Sequence, residues 1–395
     1  MLTGNGMIRL EKRPQPSKKW TSITPFLAVL ATMFVGGIMF WALGQDPIEA
    51  IRIIFWDPLF NPQFASYARP QILVKAGPLV LIALGLSLGF RANIWNIGAE
   101  GQYIIGAICG AGVGLAFYPS EGWFIFPLMV IAGALGGFLW AMIPAILKIK
   151  FNTNEILVSL MLVYVAEKIL VSVSLGLMRN PEGGGFPGSR NLQYYKAASN
   201  PELISGTGMH WGVLVAIALT CLTYIMLTKH TLGFQIKTSG KSYKAARFSG
   251  TNPSFIIAIC LGVSGALAGL AGLFEVSGPS GQISIDFNVG YGFTAIIVAF
   301  LGRLNPFGIL LAGLLMALTY IGGELAQFML GLPAAAIQAF QGMLLFFLLA
   351  GDILTNYRLS LLIKRGYNGF FFSKPSCAFS KLNGSGHSNY VSSNW

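Results

Sequence analysis

The residues most able to do chemistry sit where an apolar chain should avoid them. From Gly89 to Ala107 the sequence reads GFRANIWNIGAEGQYIIGA, placing Arg91, Asn93, Asn96, Glu100 and Gln102 between two strongly apolar runs. One guanidinium, one carboxylate and three amides offer an ion pair and many hydrogen-bonding groups. Such groups cost several kcal/mol when left unsatisfied in hydrocarbon. Irregular backbone is tolerated at membrane depth only where protein buries it or a wet cavity runs beside it. Two readings follow. The stretch is a break reaching into the membrane, with helix ends aimed at a polar path and Glu100 lining it or neutralising Arg91. Alternatively it is a tight cytoplasmic turn capped by Asn93 and Asn96.

A second polar cluster opens FNTNEILVSLML, residues Phe151–Leu162. Asn152, Thr153 or Asn154 can cap the helix that follows, and Glu155 suits its first turn. Capping is a sufficient reason for these residues; a place for Asn154 and Glu155 on the same path is the functional alternative. Glu167 and Lys168 fall inside an apolar run, where ionisable groups usually face the bundle interior or a cavity. They project about 100° apart on a helix, so they need not pair with each other. Asp286 and Asn288 precede a short apolar run and either shape an external mouth or form a turn.

No catalytic constellation is legible. His210, His230 and His387 are far apart, and HExxH and GxxxxGK[ST] do not occur. The chain therefore has no phosphate-binding loop of that kind for ATP. Cys109, Cys221, Cys260 and Cys377 show no CxxC spacing, and small apolar packing is the expected role of the first three. No metal site is expected.

The elements that must carry these residues follow from composition. Of 395 residues 54% are hydrophobic and only 10% charged, with mean hydropathy +0.66. Soluble domains carry roughly 25% charged residues. Continuous apolar runs of about 20 residues suit membrane helices, whereas barrel strands would alternate. The expected fold is all-α, a polytopic membrane protein of about ten helices. They are placed near 25–43, 70–89, 100–117, 123–147, 155–177, 210–228, 254–276, 290–301, 306–325 and 333–354. The first run exceeds the 7–15 residues of a signal-peptide core and reads as a retained helix.

Arg91, Lys148, Lys150, Lys229, Arg303 and Arg358 all fall at ends of even-numbered helices. With a cytoplasmic N-terminus this obeys the positive-inside rule and puts both termini in the cytoplasm. Arg52, Arg69, Arg179, Arg190 and Lys196 fall in external loops, so the bias is incomplete. The net charge of +12 is thereby a matter of orientation, and no nucleic-acid partner is expected. GALGG at 133–137 and GALAG at 265–269 both present small residues that let helices approach closely. They are compatible with a five-plus-five repeat, or with glycine packing alone.

Three regions follow: a basic N-terminal cytoplasmic segment 1–24, a transmembrane domain 25–356, and a tail 357–395 whose serine- and asparagine-rich end reads as disordered. The loop 229–253 carries GKSYKAARFSGTNP. It reads as one short basic helix bounded by Gly240, Gly250 and Asn252-Pro253. Its positive charge serves either anionic lipid or a cytoplasmic partner.

FRANIWNIGAEGQ, TNEILVSLMLVY, SYKAARFSGTNP and GYGFTAIIVAFLGRLNPFGILLAG, in this order, resemble the membrane permease subunits of bacterial ABC importers. The type is that of branched-chain amino acid and simple-sugar permeases, most like those for nucleosides and general simple sugars. The resemblance implies a non-enzymatic transport subunit in the bacterial inner membrane with no cofactor of its own, ATP being bound by partner subunits. It also implies a cytoplasmic ABC ATPase, a related second permease forming a heterodimer, and an external substrate-binding lipoprotein. On this resemblance Lys241, Lys244, Ala245, Ala246, Arg247, Gly250, Asn252 and Pro253 form the ATPase coupling loop. Asn96, Glu100 and Gln102, in NIGAEGQ, lie beside the translocation path, and Asn93 is a further candidate for that path. Two other classes remain: an ion-driven secondary transporter using Glu167 or Glu100, and an intramembrane enzyme, which needs a carboxylate or histidine cluster that the sequence lacks.

Overall fold

An Asp-Pro or Asn-Pro pair starts three of the helices. Asp46, Asn252 and Asn305 each stand before a proline at the first helical position, and each side chain accepts a hydrogen bond from a first-turn amide. Proline costs nothing there, because that amide has no intrahelical acceptor. The computed structural model describes residues 8–12 and 18–361. The helices are α1 (Lys18–Ala42), α2 (Pro47–Phe55), α3 (Asp57–Phe60), α4 (Ala65–Arg91), α5 (Ala99–Ala116), α6 (Ile125–Phe151) and α7 (Glu155–Leu175). They continue with α8 (Trp211–Lys229), α9 (Thr231–Lys241), α10 (Tyr243–Phe248), α11 (Pro253–Ser277), α12 (Tyr291–Leu301), α13 (Pro306–Leu330) and α14 (Ala334–Asn356).

Each of the ten expected apolar segments coincides with a helix. Among the described residues seven helices are long and apolar enough to cross a bilayer: α1, α4, α6, α7, α8, α11 and α13. α12 has only 11 residues, and the apolar part of α14 ends at Leu348. The first turn of α5 carries Glu100 and Gln102. The protein is thus a multi-pass helical membrane protein.

Burial orders the bundle. In the most apolar window of α4, 89% of residues are buried, against 22% in α7. α4 is therefore the central post, with α11, α12, α13 and α8 packed on it. The peripheral helices turn large apolar groups outward, as Phe26, Phe34 and Trp41 do on α1 and Leu135 and Leu139 on α6. Lipid is the solvent that suits those faces.

The two glycine echoes face each other. A Cβ on Gly137 would collide with the Gly265 carbonyl, and one on Gly269 with the Gly133 carbonyl. Close approach of α6 and α11 thus accounts for both GALGG and GALAG without invoking a repeat.

Several expectations are corrected. Residues 44–69, expected as a plain external stretch, contain α2 and α3, and α4 begins five residues before Pro70. α2 buries Ala50, Ile53 and Ile54, with the Ile54 carbonyl against Gly322 of α13. The all-helical expectation misses one antiparallel ribbon, β1 (Ile8–Lys12) with β2 (Tyr357–Leu361). The first five residues of the tail 357–395 are therefore paired. The partners lie at opposite ends of the chain, so no local signal revealed them. The rest of the tail, with Cys377 and His387, and residues 1–7 and 13–17 lie outside the described residues. Cys260 is buried, but Cys109 and Cys221 are exposed rather than packed in the core.

Candidate functional site

The stretch after α4 leaves helical geometry without leaving the protein. Residues 92–98 are non-helical, and Ala92, Ile94, Asn96 and Gly98 are buried. Asn93 turns the chain in the left-handed region at φ 58°, which Asn tolerates well. Its side chain is exposed and accepts a hydrogen bond from Trp95 Nε1 at 3.3 Å. The break is compensated by side chains. Asn96 Nδ2 donates to Gln102 Oε1 at 2.8 Å and to Ser264 Oγ at 3.0 Å. Asn96 Oδ1 accepts from Gln102 Nε2 and from the Gly98 amide, both at 3.1 Å. Asn96 and Gln102 thereby satisfy each other and tie α5 to α11.

Arg91 and Glu100 do not pair. Arg91 donates twice to the Leu304 carbonyl, at 3.0 and 2.6 Å, closing the end of α12. Glu100 is fully buried and accepts from the Gly290 amide at 3.1 Å and from the Gly292 amide. It supplies the acceptor that Gly290, the N-cap of α12, lacks. A carboxylate at a helix N-terminus also meets the positive end of the helix dipole.

Asn154 and Glu155 open α7, one turn before Ser159, whose Oγ accepts from the Ile97 amide of the break at 3.3 Å. Asn154 caps α7 through the Ile156 amide at 3.0 Å, and Glu155 pairs with Lys148 at 3.0 Å. A cleft of about 660 Å³ at this end is lined by Asn93, Lys148, Glu155, Gly240, Lys241 and Pro253, among others. Of the six expected path residues, then, Asn93 and Glu155 share this cleft, Asn96 pairs with Gln102 in the interior, and Glu100 reaches α12.

The loop 229–253 is two helices rather than one. Gly240, expected as a boundary, lies inside α9, where a Cβ would strike the Arg91 carbonyl. Its absence lets α9 lie against the end of α4. Ser242 is extended and separates α9 from α10. Ala246 is buried and its carbonyl accepts from Ser249 Oγ at 2.8 Å and the Thr251 amide at 3.0 Å. Gly250 takes φ 79°, and Asn252 and Pro253 start α11. Lys241, Lys244, Arg247 and Phe248 are exposed, Phe248 at 93%. α10 is thus pinned by one small residue and offers cations and an aromatic ring outward.

A polar cluster inside the bundle escaped the sequence reading. Lys75 of α4 lies 3.6 Å from Glu275 of α11 and donates to Tyr291 Oη of α12 at 2.8 Å. Lys75 and Tyr291 also line a cavity of about 470 Å³, with Tyr320, Glu324, Gln327 and Gln341 of α13 and α14. Asn288 lies on its wall and donates to Glu167 Oε1 at 2.8 Å. Lys168 and Asp286 are exposed. The cavity and the cleft lie at opposite ends of the bundle, since α4 and α11 run from one to the other. Among the described residues no group of three metal-ligating side chains occurs. Lys75 and Glu275 each interrupt an apolar run once, and that single signal was available in the sequence.

A bundle of apolar helices with buried polar side chains and a non-helical break after α4 defines an integral membrane protein. Residues 69–349 match the family described as branched-chain amino acid transport system / permease component. The chain belongs to that family. It is similar to the glucose ABC transporter permease protein TsgB13 of Haloferax volcanii, with 35% identity covering 87% of this chain and 91% of that protein. Two guanosine ABC transporter permease proteins of Bacillus subtilis also match. NupP is 25% identical over 88% of this chain and 98% of its own length. NupQ is 28% identical over 67% of this chain and 86% of its own.

Proposed function

We propose that this chain is a membrane permease subunit of an ATP-driven importer that brings a nucleoside or related simple sugar into the cell. The carrying observation is α10, a short helix anchored by buried Ala246 that presents Lys244, Arg247 and Phe248 at one end of a transport bundle. An exposed basic and aromatic helix on a chain without a phosphate-binding loop suits docking of a separate ATPase. On this reading the α9–α10 end is cytoplasmic, all ten apolar segments cross the inner membrane, and both termini lie inside. The solute arrives on an external lipoprotein at the opposite end. It passes the cavity beside Lys75 and leaves by the cleft that holds Asn93 and Glu155. Asn96, Glu100 and Gln102 hold the break between α4 and α5 beside that route.

The relatives' names support the solute class: one is a glucose permease and two are guanosine permeases. That one bacterium has two guanosine permeases similar to this chain supports a related second permease as partner. Polar Glu324 and Gln338 line that cavity and are exposed on the isolated chain; a second permease across the cavity shields them from lipid, a poor neighbour for such groups.

The test is purification of the tagged chain in mild detergent from its own host, with associated proteins identified by mass spectrometry. An ATPase and a second permease are expected. The double variant Lys244→Glu/Arg247→Glu is expected to lose the ATPase and solute uptake while remaining in the membrane. Uptake that persists without any ATPase and collapses with a protonophore counts for an ion-driven carrier instead.

A further inference from the structure

A pocket of about 450 Å³ lies at the end of the bundle away from α10, between the start of α4, the end of α11 and the segment 178–209. Its wall includes His210 and Asn200, which are only 1% and 6% exposed. Their hydrogen bonds fix their chemistry. His210 Nδ1 accepts from the Gly212 amide at 3.1 Å, so it carries no proton. Asn200 therefore turns its amide nitrogen to Nδ1, at 3.0 Å, and its oxygen away. In the neutral imidazole the proton must then be on Nε2. His210 Nε2 and Asn200 Oδ1 are left without a hydrogen-bond partner among the described residues. One is a buried donor and the other a buried acceptor, and such atoms are seldom left unpaired.

The rest of the wall narrows the ligand. Glu202 is the one formal charge besides any on His210 among the lining residues, and its Oε2 accepts from the Gly206 amide at 2.7 Å. No lysine or arginine lines the pocket, so nothing there matches a phosphate or carboxylate. Tyr67, 67% exposed, adds an aromatic face at the rim. The volume lies within the range of small-molecule sites, about 300–1,000 Å³. Gln71 also lines this pocket, one helical turn before Lys75, which lines the larger polar cavity.

We propose that this pocket is a separate binding site for an uncharged, polyhydroxylated ring, whose hydroxyls accept from His210 Nε2 and donate to Asn200 Oδ1. It rests on the solute class proposed above and adds a station before the Lys75 cavity. A hydroxyl is donor and acceptor at once, so it answers both buried atoms. Tyr67 covers the apolar face of a sugar or stacks on a base.

The experiment uses the full chain in lipid nanodiscs without an ATPase. Equilibrium dialysis follows radiolabelled glucose, ribose and guanosine, the three arms separating sugar from nucleoside. Saturable binding of at least one is expected. Loss of a hydrogen bond to a buried partner should weaken it about tenfold in His210→Ala. Ser199→Trp, on a half-buried wall residue, should abolish binding by filling the space, and Tyr67→Ala, at an exposed site, should weaken it with the fold unchanged. Thermal unfolding reports whether each variant is folded. Folded Tyr67 and Ser199 variants that bind like wild type overturn the proposal. So does loss of binding only with Gln341→Ala, which places the solute in the Lys75 cavity. Failure to bind all three solutes also overturns it; co-purification of an ATPase decides the permease reading separately.

Discussion

Glu100 of α5 holds the backbone amides of Gly290 and Gly292, 190 residues further along the chain. One buried side chain thereby joins the broken segment after α4 to the start of the short helix α12. Glu100→Ala leaves those amides without their acceptor, and a buried donor so orphaned costs about 1–3 kcal/mol. We expect a clear drop in the thermal unfolding midpoint in detergent. Glu100→Gln keeps one acceptor oxygen and should recover part of it. An unchanged midpoint in Glu100→Ala would show that the contact contributes nothing.

The glycine contact between α6 and α11 gives a second prediction. At Gly137 the obstacle to a side chain is the Gly265 carbonyl and the Gly269 backbone, neither of which has a rotamer to change. Overpacking typically costs about 1–3 kcal/mol, and rigid backbone on both sides places Gly137→Leu at or above the top of that range. Gly342, with nothing near its absent Cβ, is the control, and Gly342→Ala should be stable. Yield of monodisperse protein on size-exclusion chromatography measures both.

Much of the fold was legible because membrane helices announce themselves through continuous apolar length. α9 was missed because its sequence, TLGFQIKTSGK, is neither apolar nor strongly periodic and contains two glycines. The pairings in the site were not legible for a different reason. Asn93, Asn96, Glu100 and Gln102 were picked out as polar groups in an apolar setting. The sequence does not show that Asn96 would choose Gln102 and Ser264, or that Glu100 would ignore Arg91. Those choices depend on which helices become neighbours. Lys75 shows the same limit, since Tyr291 is 216 residues away.

Removing Lys75 tests the buried ion pair and the route together. Glu275 has a side chain only 6% exposed, and its Oε2 has no hydrogen-bond partner among the described residues. Lys75→Met strands that carboxylate. Breaking a buried pair on one side costs about 3–5 kcal/mol, and the 20% exposure of the Lys75 side chain favours the lower end. The double variant Lys75→Met/Glu275→Gln removes both charges and should regain most of the stability. If the cavity beside Lys75 carries the solute, uptake stays low in both variants. Recovery of full uptake along with stability would make the pair purely structural.

His210 should make stability depend on pH. It precedes α8 and lies outside the membrane-spanning helices, and burial pushes its pKa down to about 4. In the unfolded chain the value is about 6.5. Below pH 6.5 the unfolded state therefore binds a proton that the folded state refuses. Stability is fully present above pH 6.5, falls as the pH drops from there to about 4, and levels off below. A gap of this size corresponds to about 3 kcal/mol at the acid limit. Unfolding midpoints at pH 7.5, 6, 5 and 4.5 should fall more steeply in wild type than in His210→Gln, which has no titrating ring. Parallel curves for the two proteins would mean that His210 titrates normally in the folded state, and so is open to water rather than buried against Asn200.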